Sequence, residues 1–169
     1  PSYYNLSGGT LRHVGTSNTF YVSIGNGTGS AGLLNVSGGS VEVKNLQISR
    51  GGPGTLNLTN GTVSVTNNFY VPQGSKPGTV NLVGGTLLVP SFNKNGSGPS
   101  TNNFYGGTLK ARSATAAFIS AGTVVNVQTN GGAKIDTAGF DVTVPAPLLH
   151  GTAAATDDGP GRATRERAN

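Results

Sequence analysis

Apolar and polar residues alternate along most of this chain in a pattern that repeats. Within Gly54–Val65, two apolar residues precede an Asn60-Gly61 turn and two follow it, and a single polar residue separates the members of each pair. Alternation with a period of two predicts a half-buried β-strand, and Asn-Gly tolerates the positive φ of a tight turn. The segment therefore predicts two short strands joined by a turn.

Copies of this segment recur along the sequence. Close copies occupy Gly32–Val43 and Gly78–Val89, and weaker ones begin at Tyr3, Asn103 and Thr123. A third apolar stretch follows most copies, so one unit is predicted to hold three short strands. Equivalent turns lie 22–30 residues apart, and self-similarity at such a period is the signature of a solenoid or another repeat array. Because one unit cannot bury its own apolar face, stacked units are expected to share a core.

The predicted fold is all-β: a right-handed parallel β-helix (β-solenoid) of about six coils, with three short strands per coil, in a single domain over residues 1–151. Like residues recur in register, as stacked parallel coils require. One predicted column holds Asn5, Asn35, Asn57 and Asn81, and another holds Thr10, Ser40, Thr62, Thr86 and Thr108. A sandwich or prism built from β-hairpins stays open as the alternative, because an Asn-Gly link between alternating strands is also typical of hairpins.

The end of the chain differs from the repeats. Residues 152–169 are polar, with arginines near the end, and are expected to form a tail that is flexible or bound to a partner. The chain begins at Pro1, just inside a repeat strand, so we expect it to be a piece of a longer precursor. No run of about 18 apolar residues is present, and no membrane span is predicted.

The residue types that catalysis or metal binding requires are scarce. The chain has no cysteine and only six acidic residues, which are Glu42, Asp136, Asp141, Asp157, Asp158 and Glu166. Glu42 is alone in the regular coils, and Asp136 and Asp141 flank one turn with no expected partner in the preceding coil. Glycosidases need a pair of carboxylates, and calcium needs several oxygen ligands. We therefore expect no enzymatic activity, no metal and no cofactor.

The charge of the chain bears on its partners. The net charge is +5 and the pI is about 9.8, which suits an acidic partner. The basic residues are spread over different units without alternating aromatic residues, so specific nucleic-acid binding is not expected. An anionic polysaccharide stays a candidate partner.

The Gly54–Val65 pattern, together with Ile135–Val144 and the following Pro147-Leu148-Leu149, resembles the bacterial autotransporter-associated β-strand repeat proteins. The resemblance covers residues 2–151. It implies a passenger-like right-handed parallel β-helix of a secreted bacterial protein, located at the cell surface or outside the cell.

These observations predict a non-catalytic structural or adhesive protein whose open ends stack on other copies, or on neighbouring repeats of a longer precursor. The candidate self-assembly residues are Tyr4, Leu6 and Leu11 in the first unit and Phe140, Val142 and Val144 in the last. The alternative is a carbohydrate-binding or inactive polysaccharide-lyase-like module that uses Tyr21, Tyr70 or Tyr105 as a platform for sugars.

Overall fold

The computed structural model describes residues 1–13, 15, 17–19 and 21–151, and the backbone of residues 163–166. This part of the chain is all-β and contains no helix. Its strands are β1 (Ser2–Leu6), β2 (Thr10–Arg12), β3 (Val22–Ile24), β4 (Gly32–Val36), β5 (Ser40–Ile48), β6 (Gly54–Leu58), β7 (Thr62–Tyr70), β8 (Gly78–Leu82), β9 (Thr86–Val89), β10 (Ser100–Phe104), β11 (Thr108–Ala111), β12 (Val125–Val127), β13 (Ala133–Asp136), β14 (Leu148–His150) and β15 (Ala163–Glu166).

Two parallel sheets run the length of the molecule. The first sheet has the order β1-β4-β6-β8-β10-β12-β14, and the second has the order β2-β5-β7-β9-β11-β13-β15, with β3 also beside β5. Each strand pairs in parallel with the equivalent strand of the next repeat, as β6 does with β8. Hairpins would give antiparallel pairs instead. The chain is therefore a β-solenoid of about six coils, and the prediction of stacked coils is confirmed against the hairpin alternative.

A third face completes each coil. The nine-residue strands β5 and β7 continue past the second sheet into this face, where β3 pairs with the second half of β5. Later coils contribute shorter parallel bridges, Tyr70 with Asn93 and Phe92 with Ile119. The third strand predicted per coil is thus present as β3 in the first coil and as the second half of β5 and β7 in the next two, whereas in the later coils it is reduced to isolated bridges.

The core lies inside the coils, where alternate residues of all three faces meet. In the coil that begins at Gly54, the inward side chains of Leu56, Leu58, Val63 and Val65 are fully buried. Phe69 packs edge-on against Phe92 of the next coil, with ring centroids 5.0 Å apart. Such columns of apolar side chains are the reason that period-two alternation predicted the buried face.

The turn between the first and second sheets requires glycine. At Gly61 the φ angle is +80°, and a β-carbon added there would lie 2.5 Å from the carbonyl oxygen of Gly39 in the preceding coil. Only glycine combines this backbone conformation with so close an approach. The Asn60 side chain accepts a hydrogen bond from the Gly61 amide at 2.8 Å and so supports the turn.

Candidate functional site

An asparagine ladder runs along the outer face of the first sheet. From the second coil onward, the side-chain amide Nδ2 of one asparagine donates to Oδ1 of the asparagine in the preceding coil. The ladder consists of Asn5, Asn35, Asn57, Asn81, Asn103 and Asn126, with successive distances of 2.7, 2.8, 2.7, 2.8 and 3.0 Å. All five bonds point the same way, so the two ends of the ladder differ: one offers a donor and the other an acceptor.

Strands β1, β2 and β3 form the first coil of the described chain. Within the described part of the chain, no strand pairs with β1 on the side opposite β4. Of the predicted assembly residues, Tyr4 is exposed, Leu11 is half-buried and Leu6 is buried at 8% exposure. The neighbouring Tyr3 is 64% exposed. Apolar side chains and unpaired backbone groups therefore lie together at this edge.

The last coil of the described chain contains strands outside the candidate assembly residues. Val142 is buried, Val144 packs against the core and Phe140 is exposed, but these residues form the last strand position on the third face only. On the other two faces the last strands are β14 and β15, which pair with β12 and β13. The sequence analysis left both strands out of the candidate assembly site, although β14 begins one repeat length after β12.

Residues 163–166 belong to the predicted tail, and their backbone continues the second sheet as β15. The rest of the predicted tail, residues 152–162 and 167–169, lies outside the described residues.

The three tyrosines proposed as a sugar platform lie on two separate surfaces. Tyr21 and Tyr70 stack on each other, with ring centroids 6.3 Å apart and an interplanar angle of 29°. Burial, and to a smaller extent the neighbouring Tyr21, raise the pKa of the Tyr70 phenol. Tyr105 instead lies beside the asparagine ladder, next to Asn81 and Val83. The tyrosines therefore do not form one continuous platform.

A groove with basic side chains crosses the outer face of the second sheet. We call it the basic groove and define it by Arg12, Glu42, Lys44, Ser64 and Arg112. The guanidinium of Arg12 pairs with the Glu42 carboxylate at 2.7 Å. Arg112 reaches back two coils and donates to the Ser64 hydroxyl and, at 3.0 Å, to the carbonyl oxygen of Val65. Three cationic residues and one carboxylate leave the basic groove with a net positive charge.

Asp136 has a basic partner, Lys110, in the preceding coil, and no second carboxylate is paired with it there. Its carboxylate lies 2.6 Å from Nζ of Lys110, and this hydrogen bond is the main cause that lowers the pKa of Asp136. Glu42 is likewise paired, with Arg12 of the preceding coil. Both ion pairs join residues at matching positions in adjacent coils. The alignment of the repeats implied these pairs, but the sequence was examined only for pairs of acidic residues.

Among the described residues, no group of three or more histidine, cysteine or acidic side chains is arranged to hold a metal ion. That part of the chain also contains no helix long and apolar enough to cross a membrane.

The edges, the ladder and the basic groove are thus the features that bear on function. Comparison with protein-family models, with curated proteins and with solved structures finds no match to this chain.

Proposed function

We propose that this chain is a non-catalytic structural or adhesive β-solenoid of the bacterial cell surface or extracellular medium, and that copies of it stack end to end into a filament. The observation that supports the proposal most directly is the edge of β1 opposite β4, where Tyr3 and Tyr4 are exposed and no strand of the described residues pairs. An uncovered strand edge is a template for pairing with another chain. A contact between unlike ends repeats without closing and so builds a fibre.

Electron microscopy at two protein concentrations tests this proposal. Long rods that become more abundant with concentration are expected from the unmodified chain. Tyr4→Lys places a charge at the β1 edge and should abolish the rods. Val83→Lys is the matched control, because Val83 has nearly the same exposure, 44% against 45%, but lies on the side of the rod. Single particles at all concentrations, or equal loss in both variants, would contradict end-to-end stacking.

The second candidate function is binding of an anionic polysaccharide in the basic groove. The observation that favours it is the grouping of Arg12, Lys44 and Arg112 around one groove, with Glu42 as the carboxylate among them. Arg112 is held in place by its hydrogen bonds to Ser64 and Val65. Because this side chain is already ordered, it loses less conformational entropy when a ligand binds. A linear chain of uronic acids has the complementary charge.

Titration with fluorescently labelled polygalacturonate tests the second candidate. Lys44→Ala should weaken binding several-fold, and added salt should weaken it further because the attraction is electrostatic. Lys94→Ala is the control, since Lys94 does not line the basic groove. Equal binding of neutral amylose, or equal weakening by both substitutions, would rule out a charge-specific site.

A further inference from the structure

Strands β14 and β15 together cover the last two sheet edges of the rod, and we call them the terminal cap. Leu148–His150 pairs with Val125–Val127 in the first sheet, and Ala163–Glu166 pairs with Ala133–Asp136 in the second. Leu148 and Leu149 remain 37% and 45% exposed. Both strands therefore continue the hydrogen-bonded ladders, and β14 adds little buried apolar surface.

In the first sheet, Leu148 extends the apolar column of Val125, but the other two residues of β14 do not match the columns that they extend. Leu149 is the register partner of Asn126, so the asparagine ladder stops at a leucine. His150 is the partner of Val127, which ends a column of inward apolar residues. The acceptor Oδ1 of Asn126 receives no side-chain hydrogen bond from the next strand, because the leucine side chain has no donor.

In the second sheet, Ala163 matches Ala133, but the last two register pairs are mismatched. Arg165 is the register partner of Ile135, the last member of an inward column that includes Leu87 and Leu109. Glu166 is the partner of Asp136, which puts two acidic residues at paired positions, an arrangement that destabilises a sheet.

Strands β1 and β2 of a second copy would match the four columns that the terminal cap does not, which end at Asn126, Val127, Ile135 and Asp136. The register that aligns β1 with β4 and every later strand of the first sheet places Asn5 on Asn126 and Leu6 on Val127. Asn5 would then donate its Nδ2 to the Oδ1 of Asn126, so the ladder would continue without a break.

In the second sheet, the corresponding register places Leu11 on Ile135 and Arg12 on Asp136. An apolar residue then extends an apolar column, and opposite charges replace two acidic residues.

We propose that the terminal cap is an exchangeable strap that blocks growth of the rod, and that β1 and β2 of a second copy displace it from β12 and β13. This inference rests on the proposed end-to-end stacking and adds to it the site of contact and its regulation. A filament then grows by exchange of one pair of strands for a better-matched pair, and a closed cap keeps single molecules from assembling.

Disulfide trapping distinguishes exchange from simple addition onto the cap, because the chain has no cysteine of its own. Exchange places Tyr3 of one copy beside Val124 of another, at the spacing of about 4.8 Å between paired strands that a disulfide can bridge. Addition onto β14 would instead place Tyr3 beside Pro147.

Chains carrying Tyr3→Cys are mixed with chains carrying either Val124→Cys or Pro147→Cys and then oxidised. Linked dimers should form with Val124→Cys, and preferential linkage to Pro147→Cys would overturn the proposal.

Locking the cap gives a second test in the full chain. Within one molecule, Val124 and Pro147 precede the paired residues Val125 and Leu148, so the double variant Val124→Cys/Pro147→Cys can tie β14 to β12. The oxidised variant should form no rods, whereas the same variant after reduction should form them. Equal rod formation in both states would overturn exchange while leaving end-to-end stacking intact.

Weakening the cap should have the opposite effect. Leu149→Asp adds a charge to β14 but does not alter the strands that meet after exchange, so rods should form at a several-fold lower concentration. If rods grow by addition onto β14, the same substitution should raise that concentration, which would overturn the inference. Absence of rods in the unmodified chain and in Leu149→Asp alike would defeat both the exchange and the proposed stacking.

Discussion

The central coils and the end coils of this rod are built from one repeat, yet their side chains lie in very different surroundings. Leu58 in a central coil is fully buried, whereas Leu149 in the terminal cap is 45% exposed and Tyr3 in β1 is 64% exposed. A coil has no closed core of its own and is covered by the coils on either side. The burial of a side chain therefore depends on whether other coils lie on both sides of its own coil. This is expected of a chain of repeats whose stability is shared across their interfaces.

The largest expected difference in stability is between truncating an apolar side chain in a central coil and truncating one in the terminal cap. Leu58→Ala should lower the free energy of unfolding by about 2–5 kcal/mol, because it leaves a cavity between filled coils. Leu149→Ala, at an exposed position, should cost less than about 1 kcal/mol. Denaturant unfolding of the two variants measures the difference. Similar losses would show that the end coil is as well covered as the centre.

Turn glycines offer a second contrast between centre and end. Gly61 and Gly9 have similar φ angles, +80° and +72°, but a β-carbon would meet the Gly39 carbonyl oxygen at Gly61 and nothing within 4 Å at Gly9. Gly9→Ala should cost about 1–2 kcal/mol from backbone conformation alone. Gly61→Ala should cost more, since the preceding coil must also move. Equal changes in thermal stability would mean that contact between coils contributes nothing at the turn.

The asparagine ladder should show a smaller effect of position. Asn57 donates to Asn35 and accepts from Asn81, whereas Asn5 only accepts, from Asn35. At about 1 kcal/mol for each net hydrogen bond, Asn57→Ala should cost about twice as much as Asn5→Ala. Equilibrium unfolding checks the ratio, and a larger loss for Asn5→Ala would refute a ladder of equal bonds.

The smallest expected effect concerns the exposed pair of Lys110 and Asp136. Because the hydrogen bond from Lys110 lowers the pKa of Asp136 in the folded chain, its stabilisation is present at neutral pH. This contribution is lost as the pH falls below the usual aspartate pKa of about 3.9. Side-chain exposures of 40% and 21% limit it to less than about 1 kcal/mol. Asp136→Asn should reduce the loss of stability between about pH 6 and about pH 3, a range that brackets that pKa. An unchanged pH profile would exclude the pair as a source of stability.

The solenoid itself was predictable because stacking forces like residues into columns. Asn5, Asn35, Asn57 and Asn81 were aligned from the sequence, and each pair forms the expected hydrogen bond. The same alignment predicted the inward apolar positions, since inward and outward residues must alternate along every strand.

Features that break the repeat were not predictable in the same way. Asn102 occupies an inward position and is fully buried, with its Nδ2 bonded to the Ser100 hydroxyl and the Val124 carbonyl oxygen. β15 follows a non-repeating segment, so no column located it in advance. Arg112 contacts a coil two repeats away, a reach that depends on the conformation of a long side chain. Each of these arises from a particular contact between coils, which periodicity does not encode.

Parallel pairing between coils has a mechanical consequence. The backbone hydrogen bonds of β4, β6 and β8 join one coil to the next, so they lie along the axis of the rod. Tension applied to its two ends loads these bonds coil by coil and should peel the outermost coil first. Each released coil of 22–24 residues would lengthen the chain by roughly 75–80 Å at full extension. Single-molecule stretching should therefore record a staircase of similar steps, and one abrupt rupture of the whole rod would contradict it.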